Sequence, residues 1–286
     1  MITRVVALLL VLAGCALPVA AAERPARIVS LVPAVSEMIF AIGAGDRLVG
    51  VSNYDRFPPE VSRIARVGGL IDPDTERIIA LRPDLVVIYA TQKELIARLD
   101  RARIPYYSYE HRALPDILTT VRAIGARIGS GERAEALASS MERSLAGIRA
   151  ATSRLPRPVT LLVFGRDPAS LRNVYASGGF GFLHDMLEIA GGTNVFGEVK
   201  TQSVQASTEM LLARKPEVII ELHYGDSAKG LDLAKEAQAW NVLASIPAVR
   251  NHRVFSLVGD EFVVPGPRIV DATRALAHTL HPDAVK

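Results

Sequence analysis

From Arg27 onward, short apolar runs alternate with segments whose apolar residues recur every three or four positions. The runs Arg27–Leu31, Arg47–Val51, Asp84–Tyr89 and Pro105–Tyr109 read as strands in the first half. Helical patterns begin after Ala34, Asp74, Gln92 and Leu114. In the second half the strand candidates are Val159–Phe164, Glu217–Glu221 and Arg253–Val258. Runs that are apolar throughout belong in parallel sheets covered on both faces, so the alternation predicts parallel α/β layers.

Between the halves, Ala134, Leu137, Met141, Leu145, Ile148 and Leu155 carry helical spacing. Ser130 stands where an N-cap belongs, and Pro156 and Pro158 stop the pattern, which predicts one helix of about 35 Å. Such a rod can bridge two lobes or lie on the surface of one domain, and periodicity alone leaves both open.

An internal repeat bears on that choice. Thr75–Val87 is matched without a gap by Thr208–Ile220, 133 positions later, and Ile42–Gly50 is matched more loosely by Ile189–Gly197. Each unit is a helix, closed by Pro or Gly, that feeds a strand. The fold expected is α/β, with two similar lobes joined by one long helix and a ligand cleft between them. The boundaries expected are 1–22 for an export signal, 23–129 for the first lobe, 130–156 for the helix and 157–286 for the second lobe.

The signal reading rests on Arg4, eighteen uncharged residues from Val5 to Ala22, and the small residues before Glu23. Pro18 argues against a continuous spanning helix. Leu12-Ala13-Gly14-Cys15 also resembles a bacterial lipobox, so Cys15 is a candidate lipidation site and the chain is expected in the periplasm, free or tethered.

Composition narrows the chemistry. The 286 residues are 49% hydrophobic and 22% charged, and 33 basic against 30 acidic residues leave +3, without a basic run that would mark a nucleic-acid partner. A single Cys excludes an internal disulfide and Cys-based zinc sites. There is no P-loop, HExxH or G-x-S-x-G motif, and Gly43-Ala-Gly45 follows a helix instead of opening one, so it reads as a C-cap turn. Of the six histidines, His111, His184, His223 and His252 have no neighbour at metal-ligand spacing, and His278 with His281 reads as a last helical turn. His184-Asp185 would need a nucleophile to act as a catalytic dyad. No catalytic residue, cofactor or resident metal is assigned.

Glu76 and Glu209 occupy equivalent places in the two repeats, in the first turn of a helix. A carboxylate there complements the helix dipole. Two equivalent carboxylates also suit a two-fold symmetric partner that presents arginines.

The segments Arg27–Pro33 with Ser36-Glu37, Val49–Tyr54 with Phe57–Pro59, Glu76–Val86, Phe182–Phe196 and Pro267–Ile269 resemble the helix-linked substrate-binding proteins of bacterial ABC importers. The resemblance is nearest to the corrinoid-binding members. It implies a non-enzymatic, monomeric receptor for cobalamin or another corrinoid, with ferric siderophore or haem as the alternative ligand. It also implies that Glu76 and Glu209 pair with arginines on the permease. By position, Tyr54, Tyr175 and Phe262 become pocket aromatics, Pro33 a cleft-floor residue, and Arg166, Asp260 and Glu261 polar ligand contacts. The sequence departs from the class where corrinoid binders present tryptophan, because Leu70 or Ile71 and Glu261 stand there and the one Trp, Trp240, lies elsewhere. Small lobe closure is expected of a helix-linked pair. From another class, an exported α/β hydrolase or metal enzyme would require a nucleophile-base pair or metal cluster in the cleft.

Overall fold

The computed structural model describes residues 24–110 and 113–284; the export-signal reading of residues 1–22, Cys15 and His111 lie outside them. Among the described residues the strands form two sheets. The first is wholly parallel and holds β1 (Ile28–Ser30), β2 (Leu48–Val51), β3 (Ala65–Arg66), β4 (Leu85–Tyr89) and β5 (Tyr106–Tyr109), in the order β3-β2-β1-β4-β5. Helices α1 (Pro33–Ala41), α2 (Thr75–Ala80) and α3 (Lys93–Ala102) lie in the connections β1–β2, β3–β4 and β4–β5, and α4 (Leu114–Arg127) follows β5. Pro33 opens α1, where its fixed φ suits the first turn and its missing N–H costs nothing. Residues Ala34–Ile39 of that helix are all buried, so α1 lies inside the lobe.

Helix α5 (Gly131–Thr152) spans about 33 Å at 1.5 Å per residue. It ends at Thr152, before the prolines, and the Thr152 hydroxyl donates across to the Ile189 carbonyl at 2.9 Å. Ser130 sits at the N-cap, but its side chain makes no capping bond; its backbone N–H instead closes the turn from α4 onto Gly125 O at 2.7 Å.

The second sheet contains β6 (Val159–Gly165), β7 (Val174–Ser177), β8 (Thr193–Asn194), β9 (Ser203–Ala206), β10 (Val218–His223) and β11 (Val254–Val258). Its order is β11-β10-β6-β7-β9, with β8 also paired to β6. Helices α6 (Phe182–Ile189), α7 (Thr208–Arg214), α8 (Leu233–Gln238), α9 (Pro247–Arg250) and α10 (Ile269–Leu280) surround it. The expectation of parallel layers is corrected here: β7 is antiparallel to both β6 and β9. Only residues 166–173 join β6 to β7, too few for the helical crossover that a parallel return requires.

The repeat is visible in the sheets. α2–β4 and α7–β10 are the same unit, each strand lying parallel between two neighbours, β1 and β5 in one sheet and β6 and β11 in the other. The looser repeat places β2 beside β1 and the two-residue β8 beside β6, both parallel.

One apolar core runs through both lobes. Met141, Leu145 and Ile148 of α5 pack in the same cluster as Ile124 of α4, Met186 of α6 and Leu276 of α10. Burial of each such side chain contributes about 1.5–3 kcal/mol, so a wide swing of the lobes about α5 would expose apolar surface at considerable cost.

Candidate ligand cleft

Parallel α/β sheets leave their ligand crevice at the carboxyl ends of the strands. In the first lobe those ends lead to Tyr54 after β2, to Leu70 and Ile71 after β3, and to the start of α1 at partly buried Pro33. Tyr54 is 59% exposed and lies over Gly69, where any Cβ would strike its ring. Ile71 is 92% exposed. The loop that presents it is anchored from below: the Gln92 amide donates to the carbonyls of Gly69 and Leu70 at 3.1 Å and accepts from Tyr89 N–H at 3.0 Å.

In the second lobe a cavity of about 420 Å³ opens at the ends of β6 and β10. Phe164, Phe180, Phe182, Leu183, Tyr224 and Val263 form its apolar wall, and Gln202 and Ser203 contribute polar groups. The loop carrying Phe180 depends on glycine. A Cβ at Gly178 would strike Thr201 O and one at Gly179 would strike Gly197 O, while Gly181 adopts φ +100°, a left-handed conformation that other residues avoid.

Ionic contacts join the lobes along the same edge. Arg56 donates to Asp226 at 2.9 Å and stands 3.5 Å from Asp260, which also accepts from Gly225 N–H at 2.7 Å. Arg268 holds Glu37 at 2.6 Å and Glu261 at 2.9 Å, and its guanidinium lies 4.2 Å from the centre of the Phe57 ring. Desolvation raises the Glu37 pKa, and Arg268 offsets only part of the rise. Burial likewise pushes Asp55 up to about 7, against the pull of the Ser52 N–H and of Arg66, with Glu37 adding to the rise. The Asp55 Oδ1 finds no hydrogen-bond partner among the described residues. At the base of the second lobe, Asp185 accepts from Leu114 N–H of α4 at 2.8 Å, a structural bond between lobes, and His184 contacts Asn194 at 3.3 Å.

The expected site residues divide. Tyr54 and Pro33 stand at the cleft. Tyr175 lies in strand β7 and packs against Phe164 with ring centres 6.5 Å apart. Asp260 and Glu261 face the cleft edge but are committed to Arg56 and Arg268. Two expectations are corrected. Phe262 is 4% exposed and belongs to the core, because the short turn Asp260–Phe262 points it inward. Arg166, expected as a polar ligand contact, has its donors committed within the lobe: its side chain is 5% exposed and donates to Glu221, Glu236 O, Asp167 O and Ser170 O. The cavity residues Phe164, Phe180, Phe182 and Tyr224 were missed. The glycine-dense stretch Ser177-Gly-Gly-Phe-Gly-Phe182 was the available signal for two of them.

Glu76 and Glu209 are both exposed in the first turns of α2 and α7. Asp74 caps the first helix by accepting from Arg77 N–H at 3.0 Å, and Ser207 caps the second by accepting from Met210 N–H at 3.3 Å. Helix capping is thus already supplied by the preceding residues. The Ser207 hydroxyl also holds the Glu209 carboxyl below its usual range.

The architecture has relatives. An ABC transporter substrate-binding lipoprotein of Bacillus subtilis, YvrC, is 28% identical over 92% of this chain and 82% of its own length. The vitamin B12-binding protein of Salmonella typhimurium is 32% identical over 89% of this chain and 90% of its own. Among solved structures, the periplasmic haem-binding protein RhuT of Roseiflexus superposes with a TM-score of 0.76 at 26% identity, over 90% of this chain and 98% of its own. The family model described as periplasmic binding protein matches residues 28–260, and the chain belongs to that family.

Proposed function

We propose that this chain is the non-enzymatic substrate-binding component of an ABC importer, and that it captures cobalamin or a related corrinoid between its lobes. The observation that carries the reading is the aromatic cavity at the strand ends of the second lobe, together with Tyr54, Leu70 and Ile71 exposed at the strand ends of the first; the Arg56–Asp226 contact ties the segment after Tyr54 to the segment after Tyr224. A cavity of about 420 Å³ takes one edge of a macrocycle, and the gap between the lobes takes the rest. A 32% identical relative named as a vitamin B12-binding protein supports the ligand class. Calorimetric titration with cyanocobalamin, cobinamide, haemin and ferric siderophores tests it. Binding of either corrinoid is expected, and binding of neither overturns the reading.

A second reading, haem or a ferric siderophore, is favoured by the Tyr54 phenol, whose exposure at the cleft would let it ligate iron. The same titration separates the two. Delivery runs through Glu76 and Glu209, whose equivalence in the repeat suits a two-fold permease bearing arginines, and the receptor acts as a monomer. It works outside the cytoplasmic membrane, free or held by lipid on Cys15; labelling with a radioactive fatty acid distinguishes these, since only a lipoprotein incorporates it.

A further inference from the structure

A second pocket of about 180 Å³ shares Phe164 and Tyr224 with the aromatic cavity. Its interior is ionic. The side chains of Arg166, Glu221 and Glu236 are 5%, 2% and 7% exposed, and all three line it together with His223. Burial alone would lower the basicity of Arg166, but Glu221 and then Glu236 outweigh it and the net shift is upward.

The hydrogen-bonding capacity of this cluster is one-sided. A guanidinium has five N–H donors. Those of Arg166 meet the two carboxylate oxygens of Glu221 and the carbonyls of Asp167, Ser170 and Glu236. None is left for a ligand anion. The capacity that remains is acceptor lone pairs on two carboxylates, together with the Nε2 of His223, which has no hydrogen-bond partner among the described residues and lies 3.9 Å from Glu221. One guanidinium against two carboxylates also leaves one negative charge. A ligand carboxylate entering here would meet like charge in a low dielectric, with the Arg166 donors already taken. A primary amide would find acceptors for its N–H groups, and its carbonyl would accept from the imidazole in the Nε2–H tautomer.

We propose that this pocket is a specificity subsite that takes a primary-amide arm of the ligand and turns carboxylate arms away. The proposal deepens the corrinoid reading and rests on it, because a corrinoid carries amide arms around its ring whereas haem carries carboxylates. A purely structural cluster, pinning residues 166–170 to β10 and α8, would show no such preference.

The test is calorimetric titration of the intact protein with two matched pairs: cyanocobalamin against its monocarboxylic acids, and haemin against its diamide. Wild type is expected to bind the amide member at least tenfold more tightly than at least one acid isomer. Glu236→Gln, which removes a charge and keeps the shape, should narrow that ratio to about threefold or less. His223→Ala, which breaks no hydrogen bond at Nε2, should weaken the amide member and serves if Glu236→Gln fails to fold. Equal binding within a pair, or preference for the acid, overturns the subsite. If only the haemin pair binds, the corrinoid reading fails, and the amide-to-acid ratio within that pair still decides the subsite. If neither scaffold binds, both fall.

Discussion

The two lobes share half of each sheet and differ in the other half. On the shared side, β5-β4-β1 corresponds to β11-β10-β6, every pairing is parallel, and the 133-residue repeat supplies α2–β4 and α7–β10. On the other side the first lobe continues in parallel through β2 and β3, whereas the second turns antiparallel through β7 and β9. The aromatic cavity takes Phe164 and Tyr224 from the ends of the shared strands β6 and β10, and completes itself from the divergent side with Phe180, Phe182, Gln202 and Ser203, which lie between β7 and β9 or at their ends. The shared side carries Glu76 and Glu209. Equivalent structure thus accompanies the surface proposed for a symmetric partner, and departure from equivalence accompanies the surface proposed for an asymmetric ligand.

The sharpest way to break this division is to alter the shared side alone. Reversing both Glu76 and Glu209 to Arg is expected to abolish ligand uptake by cells while calorimetric affinity stays unchanged. Unchanged uptake would remove the docking role. The next largest effect concerns what holds the two sides together. Glu37→Ala leaves Arg268 partly buried with one carboxylate fewer and is expected to lower stability by about 3 kcal/mol in denaturant unfolding. Arg56→Ala, which breaks a far more exposed contact with Asp226, should cost no more than about 1 kcal/mol.

A third prediction separates the ionic edge from the apolar core by pH. The folded state holds the Asp55 proton up to about pH 7, whereas an unfolded aspartate loses it near pH 4. The stabilisation is therefore fully present below about pH 4 and is lost as pH rises through about 7. Asp55→Asn should flatten the decline in stability between pH 5 and pH 8 by about 2 kcal/mol, measured by urea unfolding at each pH. A smaller effect is expected on the divergent side. Phe180→Ala should weaken corrinoid binding about tenfold, roughly 1.4 kcal/mol, with little change in melting temperature because Phe180 is exposed.

The same division governs what the sequence made legible. β4 and β10 are covered on both faces, so Leu85–Ile88 and Val218–Ile220 read as continuous apolar runs. β9, Ser203-Val-Gln-Ala206, buries only alternate residues, and β3 and β8 have two residues each, too short for any periodicity. Aromatic Tyr54 was legible because it sits in a loop after a clear strand. Phe164 was hidden because, inside a strand, a cavity-lining aromatic has the same pattern as a core one. Arg166 misled because its partners, Glu221 and Glu236, are 55 and 70 residues away, and no local signal announces such an ion cluster.

The claim that the ligand lies between the exposed first-lobe loops and the aromatic wall of the second is tested most directly by a crystal structure with cyanocobalamin. The account predicts density for the corrin ring between Tyr54 and the Phe164–Phe180–Tyr224 wall, with the lobes little moved about α5. A ring bound outside that cleft, or a wide closure that breaks the packing of Met141, Leu145 and Ile148, would contradict it.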